Sequence, residues 1–190
     1  VVGAIEPGHR HRWFRSMGSS QALAQSIFGN LKASGQLPML QGLRCENGQL
    51  AFGAWNPFAG DAVLEHDIHH LGEPRPTSID VFLSGEYSVA IECKLMEDGF
   101  GACSRTRISP QDSTYAQQFC DGNYRVQRNR MKRCSLTEIG VRYWHHIPNV
   151  LDWDPESNLS PCPLRNNYQL ARNVLAIAPD GNAASGHALV

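Results

Sequence analysis

The residues best placed to do chemistry sit in two apolar runs, Thr77-Ser78-Ile79-Asp80-Val81-Phe82-Leu83 and Val89-Ala90-Ile91-Glu92-Cys93-Lys94-Leu95. Each run carries an acid among residues that suit a strand, and Ser84-Gly85-Glu86 between them suits a hairpin turn. Period-2 alternation puts Glu92 and Lys94 on one face, with Ile91 and Cys93 on the other. A carboxylate in such a setting is costly unless something neutralises it. Asp80 and Glu92 can meet that cost together by holding a hard divalent cation, which prefers oxygen ligands, and Lys94 can reach the same place. This set suits metal-assisted phosphodiester hydrolysis, with the lysine steadying developing charge or positioning the nucleophile. The competing reading is a salt bridge on a solvent-facing strand.

The elements that must hold these residues follow from the patterning. A helix is expected from about Gln21 to Lys32, with Ser19 or Ser20 as N-cap, Leu23, Ile27, Phe28 and Leu31 as the apolar stripe, and Gly35 past its end. Residues 33–60 are rich in Gly, Pro and Asn and predict loop. Strands are expected at about Ala62–His69, Thr77–Leu83 and Tyr87–Leu95. Ser109-Pro110 begins a helix to about Phe119. A capping box, Ser135 to Glu138, opens a helix with apolar positions at Leu136, Ile139, Tyr143 and Ile147. A last helix, about Leu164–Ala178, precedes a strand at His187–Val190. The pattern is mixed α/β, in the order helix, three strands, helical insertion, helix, strand.

Composition agrees with a folded chain: 190 residues, 42% hydrophobic and 18% charged, enough for a core and too little charge for disorder. No run approaches a membrane span, and no signal peptide is evident at the start, so a cytoplasmic protein is expected. The missing initiator methionine and the strand-like last residues lead us to expect that these are not the natural ends. A net charge of −1 argues against a globally basic nucleic-acid coat, while fourteen arginines against three lysines suit bidentate contact with phosphate or carboxylate.

Asp80 followed by Glu92-Cys93-Lys94 on the next strand resembles the PD-(D/E)XK, or restriction-endonuclease-like, nuclease superfamily, with bacterial restriction endonucleases as its nearest likeness. The order αβββαβ around a mixed sheet is similar to that core over about Gln21–Leu95 and Leu164–Val190, leaving an insertion at about 96–162 within one domain, 1–190. Ile79 stands where the family commonly has proline. The resemblance implies a Mg²⁺- or Mn²⁺-dependent endonuclease of restriction or repair type with DNA as partner; a homodimer is left open. It implies that Asp80, Glu92 and the backbone carbonyl of Cys93 hold the metal, that Lys94 is catalytic, and that Glu65 is a further acid. For Glu65, a solvated edge strand is the competing reading. A glutamine on a later helix also occurs in some branches: Gln111 lies in a literal Gln-x-x-x-Tyr match, but core order favours Gln169.

Two further sets lie in the insertion. Arg125, Arg128 and Lys132 share a helical face by spacing and could follow a phosphate backbone, unless they are simply a solvated face. Cys103, Cys120, Cys134 and Cys162 fall near turns and could hold structural Zn²⁺ or an iron–sulfur cluster; buried apolar cysteines are the competing reading. His9-Arg10-His11-Arg12 is expected to be a flexible basic terminus. The alternative to an enzyme is a non-catalytic nucleic-acid-binding or assembly domain organised by a cysteine-bound metal.

Overall fold

A computed structural model describes residues 4–16, 18–52, 60–85, 88–97, 99–103, 134–154 and 161–178, and the backbone of 186–189. The chain falls into two compact units: Val1–Asp67, Ser78–Glu97 and Ala184–Val190 in the first, Ile68–Thr77 and Asp98–Ala183 in the second. The expected helix at Ser109–Phe119 lies outside the described residues.

In the first unit the opening helical run has three parts: α1 (Ser20–Ala24), a π-helical stretch (Gln25–Gly29) and α2 (Asn30–Ala33). Ser19 caps it, its hydroxyl oxygen accepting from the Ala22 N–H at 3.1 Å. Gly35, at φ +67°, closes it in a Schellman turn: Gly35 N–H donates to the Lys32 carbonyl and Gln36 N–H to that of Leu31. The buried face differs from the expected stripe. Gln21, Ala24, Phe28 and Gly29 are buried, Leu31 is partly covered, and Ile27 is exposed. A wider π turn changes the phase of the helix midway, so a stripe drawn at a uniform 3.6 residues per turn misplaces Ile27.

The sheet has four strands in the order β1 (Ala62–Ile68), β2 (Thr77–Leu83), β3 (Ser88–Ile91) and β4 (Gly186–Leu189). β2 and β3 are antiparallel, pairing Val81 with Ile91 and Leu83 with Val89, whereas β4 runs parallel to β3. The fold is mixed α/β. Strict alternation along β2 buries Ile79, Val81 and Leu83 and leaves Ser78, Asp80 and Phe82 on the half-buried face. Val81, Leu83, Val89 and Ile91 join Ala24, Phe28, Leu37 and Leu40 in one apolar cluster under the helix. β3 stops four residues short of the expected Leu95, for a reason that belongs to the site.

The second unit carries α3 (Ser135–Glu138), α4 (Tyr143–Val150) and α5 (Tyr168–Ile177), with α4 packed on α5. The single helix expected from the capping box is instead two. Cys134 is the N-cap residue, Ser135 is the first helical residue, and Gly140 at φ +92° turns the chain out, with Val141 N–H donating to the Leu136 carbonyl. Glycine reaches that conformation without the Cβ penalty, so it ends a helix more readily than the apolar spacing prolongs it. Consequently His145 and His146 lie in the first half of α4, not late in a helix. The last helix is likewise preceded by a separate 3-10 turn, Pro163–Arg165; of the face that apolar spacing sets at Leu164, Tyr168, Ala171, Leu175 and Ala178, all are buried but Tyr168, which is partly buried.

Two glycines separate backbone strain from steric clash. A Cβ on Gly72 (φ +71°) would lie 2.5 Å from the Gly140 carbonyl oxygen, whereas one on Gly35 would meet nothing within 4 Å. Gly35→Ala should therefore cost about 1 kcal/mol, from conformation alone. Gly72→Ala adds overpacking and should cost about 2–4 kcal/mol. Urea unfolding of the two variants measures the difference, and equal losses would remove the clash.

Candidate active site

The acids and the lysine meet at the end of β3, wholly within the first unit. The β2–β3 register, carried one step past Val81 and Ile91, sets Asp80 opposite Glu92. Like charges directly opposed repel, and the local backbone is arranged around that problem. The Cys93 N–H donates to Asp80 Oδ2 at 2.7 Å, leaving the ladder to do so, which is why β3 ends at Ile91. Lys94 Nζ lies 3.0 Å from Glu92 Oε1, with Glu92 buried and the lysine side chain 17% exposed. Glu92 and Lys94 thus share a side, as alternation predicts.

Glu65 joins them by a route that alternation does not give. It sits mid-strand with φ +52°, the one non-glycine residue with positive φ among those described. For an L-residue this is a rare conformation, and such strain concentrates at functional sites. Period-2 alternation along the expected strand would set Val63, Glu65, Asp67 and His69 on one face, and the positive φ breaks that regularity at Glu65. Its Oε2 accepts from the Ser78 hydroxyl at 3.0 Å, while Oε1 is buried without a hydrogen-bond partner among the described residues. Ser78 is two residues from Asp80 on the same face of β2.

The electrostatics confirm that these groups share one field. Burial, then the charge of Glu92, raises Asp80 to about 7; Glu65 adds to the rise, against the Cys93 N–H and Lys94. Burial also raises Glu65, opposed by the nearby Gln21 amide, the Ser78 hydroxyl and the charges of His9 and His11. The Cys93 thiol is pushed up to about 12 by burial and by the charges of Asp80, Glu92 and Glu65. It stays a neutral thiol, and only its backbone faces the site.

One part of the surroundings was not foreseen. His9 to Arg12 is not a loose terminus: Gln21, buried on α1, donates from Nε2 to the His9 carbonyl at 2.7 Å and accepts the His11 N–H at 3.1 Å. His11 Nε2 lies 3.1 Å from the Ser19 hydroxyl, and His9 Nε2 lies 3.7 Å from Asp67. A buried glutamine on an otherwise apolar helix face was the available signal. Beside this strap opens a cavity of about 480 Å³ lined by Glu65, His9, Lys32 and Glu6 over an apolar floor of alanine and leucine.

The remaining candidates belong to the second unit or lie outside the described residues. Gln169 belongs to the second unit, where its N–H donates to the Phe100 carbonyl at 2.7 Å and its side chain packs at Gly101. Gln111, Arg125, Arg128, Lys132 and Cys120 lie outside the described residues. Cys103, Cys134 and Cys162 are all buried in the second unit. Among the described residues no group of three or more His, Cys, Asp or Glu side chains is set to hold a metal ion.

The carboxylates nevertheless fit a hard cation. Mg²⁺ commonly takes one or two carboxylates and keeps several waters, so a pair with an adjacent carbonyl suffices. A half-buried acid near 7 set opposite another is what such an ion would relieve.

The sequence matches, over residues 6–187, the family described as "Restriction Endonuclease associating with ARP". The chain belongs to that family. No curated protein and no solved structure matches it. Membership in this restriction-endonuclease-like family gives the chain a nuclease-related role. No helix among the described residues is long and apolar enough to cross a membrane.

The raised Asp80 sets a sign for stability against pH. Its folded value lies above its unfolded one, so the folded state is favoured while the acid is protonated and loses that advantage as pH rises from about 4 through about 7. In EDTA, wild-type Tm should fall over this window, and Asp80→Asn should flatten the fall and melt higher at pH 8. Parallel Tm profiles for the two proteins would contradict the burial of a charged Asp80.

Proposed function

We propose that this chain is a Mg²⁺- or Mn²⁺-dependent deoxyribonuclease, an endonuclease with a PD-(D/E)XK core. The observation that carries the reading is Asp80 set opposite a Glu92 that Lys94 holds at 3.0 Å, with Asp80 pushed up to about 7 by burial and then by the charge of Glu92. The order α, three strands, α, strand and the parallel β3–β4 pair support the same core. Family membership supports the endonuclease class.

Asp80, Glu92 and the Cys93 carbonyl would hold the cation, with Glu65 as a further oxygen donor. Bound there, the ion supplies positive charge for the phosphoryl oxygen and acidifies an attacking water. Lys94, fixed by Glu92, presents an ammonium group to the oxygen on which charge develops and orients the water for in-line attack. The Cys93 N–H keeps one Asp80 oxygen fixed, so the other is aimed. Glu65 would be held as that further oxygen donor by the Ser78 hydroxyl, which donates to its Oε2. The basic residues Arg125, Arg128 and Lys132 are proposed to follow the DNA backbone. The family's description speaks of association with ARP, and we carry that partner over as part of the proposal.

Purified protein should cut DNA with Mg²⁺ or Mn²⁺ and not with EDTA. Asp80→Asn and Lys94→Ala should each lower the rate at least about a hundredfold, the scale of losing one stabilising group from a transition state. Mg²⁺ should raise the Tm of the wild type at pH 8 and leave Asp80→Asn unmoved. Cutting that survives both substitutions would end this mechanism.

A further inference from the structure

Residues 4–16 carry Arg10, Arg12, Arg15, His9 and His11 against a single acid, Glu6. The arginines alternate with aromatic rings: the Arg10 guanidinium lies 5.0 Å from the Phe14 ring centre and that of Arg12 4.9 Å from Trp13. Trp13 is 63% exposed, so its ring face is open to solvent. Its position is set from several sides. Trp13 N–H donates to His11 Nδ1 at 3.0 Å, its carbonyl accepts from Ser16 N–H at 2.8 Å, and His11 is anchored to Gln21 and Ser19.

The same ledge continues to the catalytic lysine. A Cβ on Gly18 would lie 3.2 Å from Met96 Cγ, so the backbone just past the strap runs directly under Met96, which is 75% exposed. Glu97 clamps this junction, accepting from the Ser20 hydroxyl at 2.6 Å and from the N–H groups of Leu95 and Met96. Lys94 is the next residue back. Cation-backed rings, an apolar strip and the acid cluster therefore lie along one stretch of the first unit.

We propose that this ledge, from Arg12 and Trp13 to Leu95 and Met96, binds an unpaired stretch of the nucleic-acid substrate and feeds it to the acids. The inference rests on the nuclease reading of that site. Charge selects the occupant: an arginine-backed, acid-poor segment complements a phosphate backbone, while an exposed indole offers a stacking face to a base. A single strand presents bare base faces, whereas the bases of a duplex are already stacked on one another.

Binding can be read without cleavage. In the Asp80→Asn chain with EDTA, the anisotropy of a short labelled single-stranded deoxyoligonucleotide should report binding tighter than an equal duplex. Trp13→Ala should weaken it about tenfold, with Trp13→Phe largely restoring it. Joint replacement of Arg12 and Arg15 by alanine should reduce the slope of log affinity against log salt by about 1.4. Unchanged affinity in Trp13→Ala, equal competition by duplex, or an altered oligomeric state as the only effect of Trp13→Ala would each overturn the ledge. Hydrolysis of bis(p-nitrophenyl) phosphate with Mn²⁺, which has no strand to seat, reads the acid site by itself and should proceed in the wild type. Its absence in the wild type would sink the nuclease reading and leave the ledge to be judged by the binding data alone.

Discussion

The first unit is organised around a half-buried carboxylate set opposite a second acid. Asp80 lies on a face of β2 that is half buried, opposite Glu92 and near Glu65. Desolvation and two like charges all push its proton affinity the same way. Against them stand one backbone N–H and one ammonium group. That balance leaves Asp80 pushed up to about 7 and Glu65 above its ordinary value.

The surrounding structure is shaped by the same constraint. β3 surrenders its ladder at Ile91 so that Cys93 can turn its N–H to Asp80. Glu65 takes a backbone conformation that costs free energy to face Ser78 rather than the solvent. Glu97 ties the chain after Lys94 to the start of α1, which limits how far the lysine can wander from Glu92. Beneath these polar contacts Val81, Leu83, Val89 and Ile91 pack on Phe28 and Leu40, and this apolar floor keeps the polar face rigid. A site that needs fixed carboxylates is built on strands over a close-packed core.

The helix beneath the sheet has two tasks. Ala24 and Phe28 bury it against the strands, while Gln21, buried in the same direction, spends both ends of its amide on His9 and His11. A buried amide is stable only when both ends are satisfied, and here that requirement draws the basic segment to the side of Glu65. The π stretch after α1 alters the helical phase, so Ile27 emerges to solvent while Phe28 stays in the core.

Much of this was legible in one dimension. The strand cores, the hairpin partnership of β2 and β3, the cap at Ser19 and the stop at Gly35 follow from local rules: alternation, N–H satisfaction and the freedom of glycine. The pairing of Glu92 with Lys94 follows from the same alternation, because residues two apart on extended chain share a side. What needed the folded molecule were features decided by groups distant in sequence. The early end of β3 depends on a carboxylate thirteen residues back; the turn of Glu65 depends on Ser78; the anchoring of His9 to His11 depends on a glutamine a helix away. The split at Gly140 was a contest between two local rules, and the left-handed turn won over the apolar repeat. Periodicity reports which side of an element meets the core, but a hydrogen bond across the fold can override it wherever a buried polar group must find a partner.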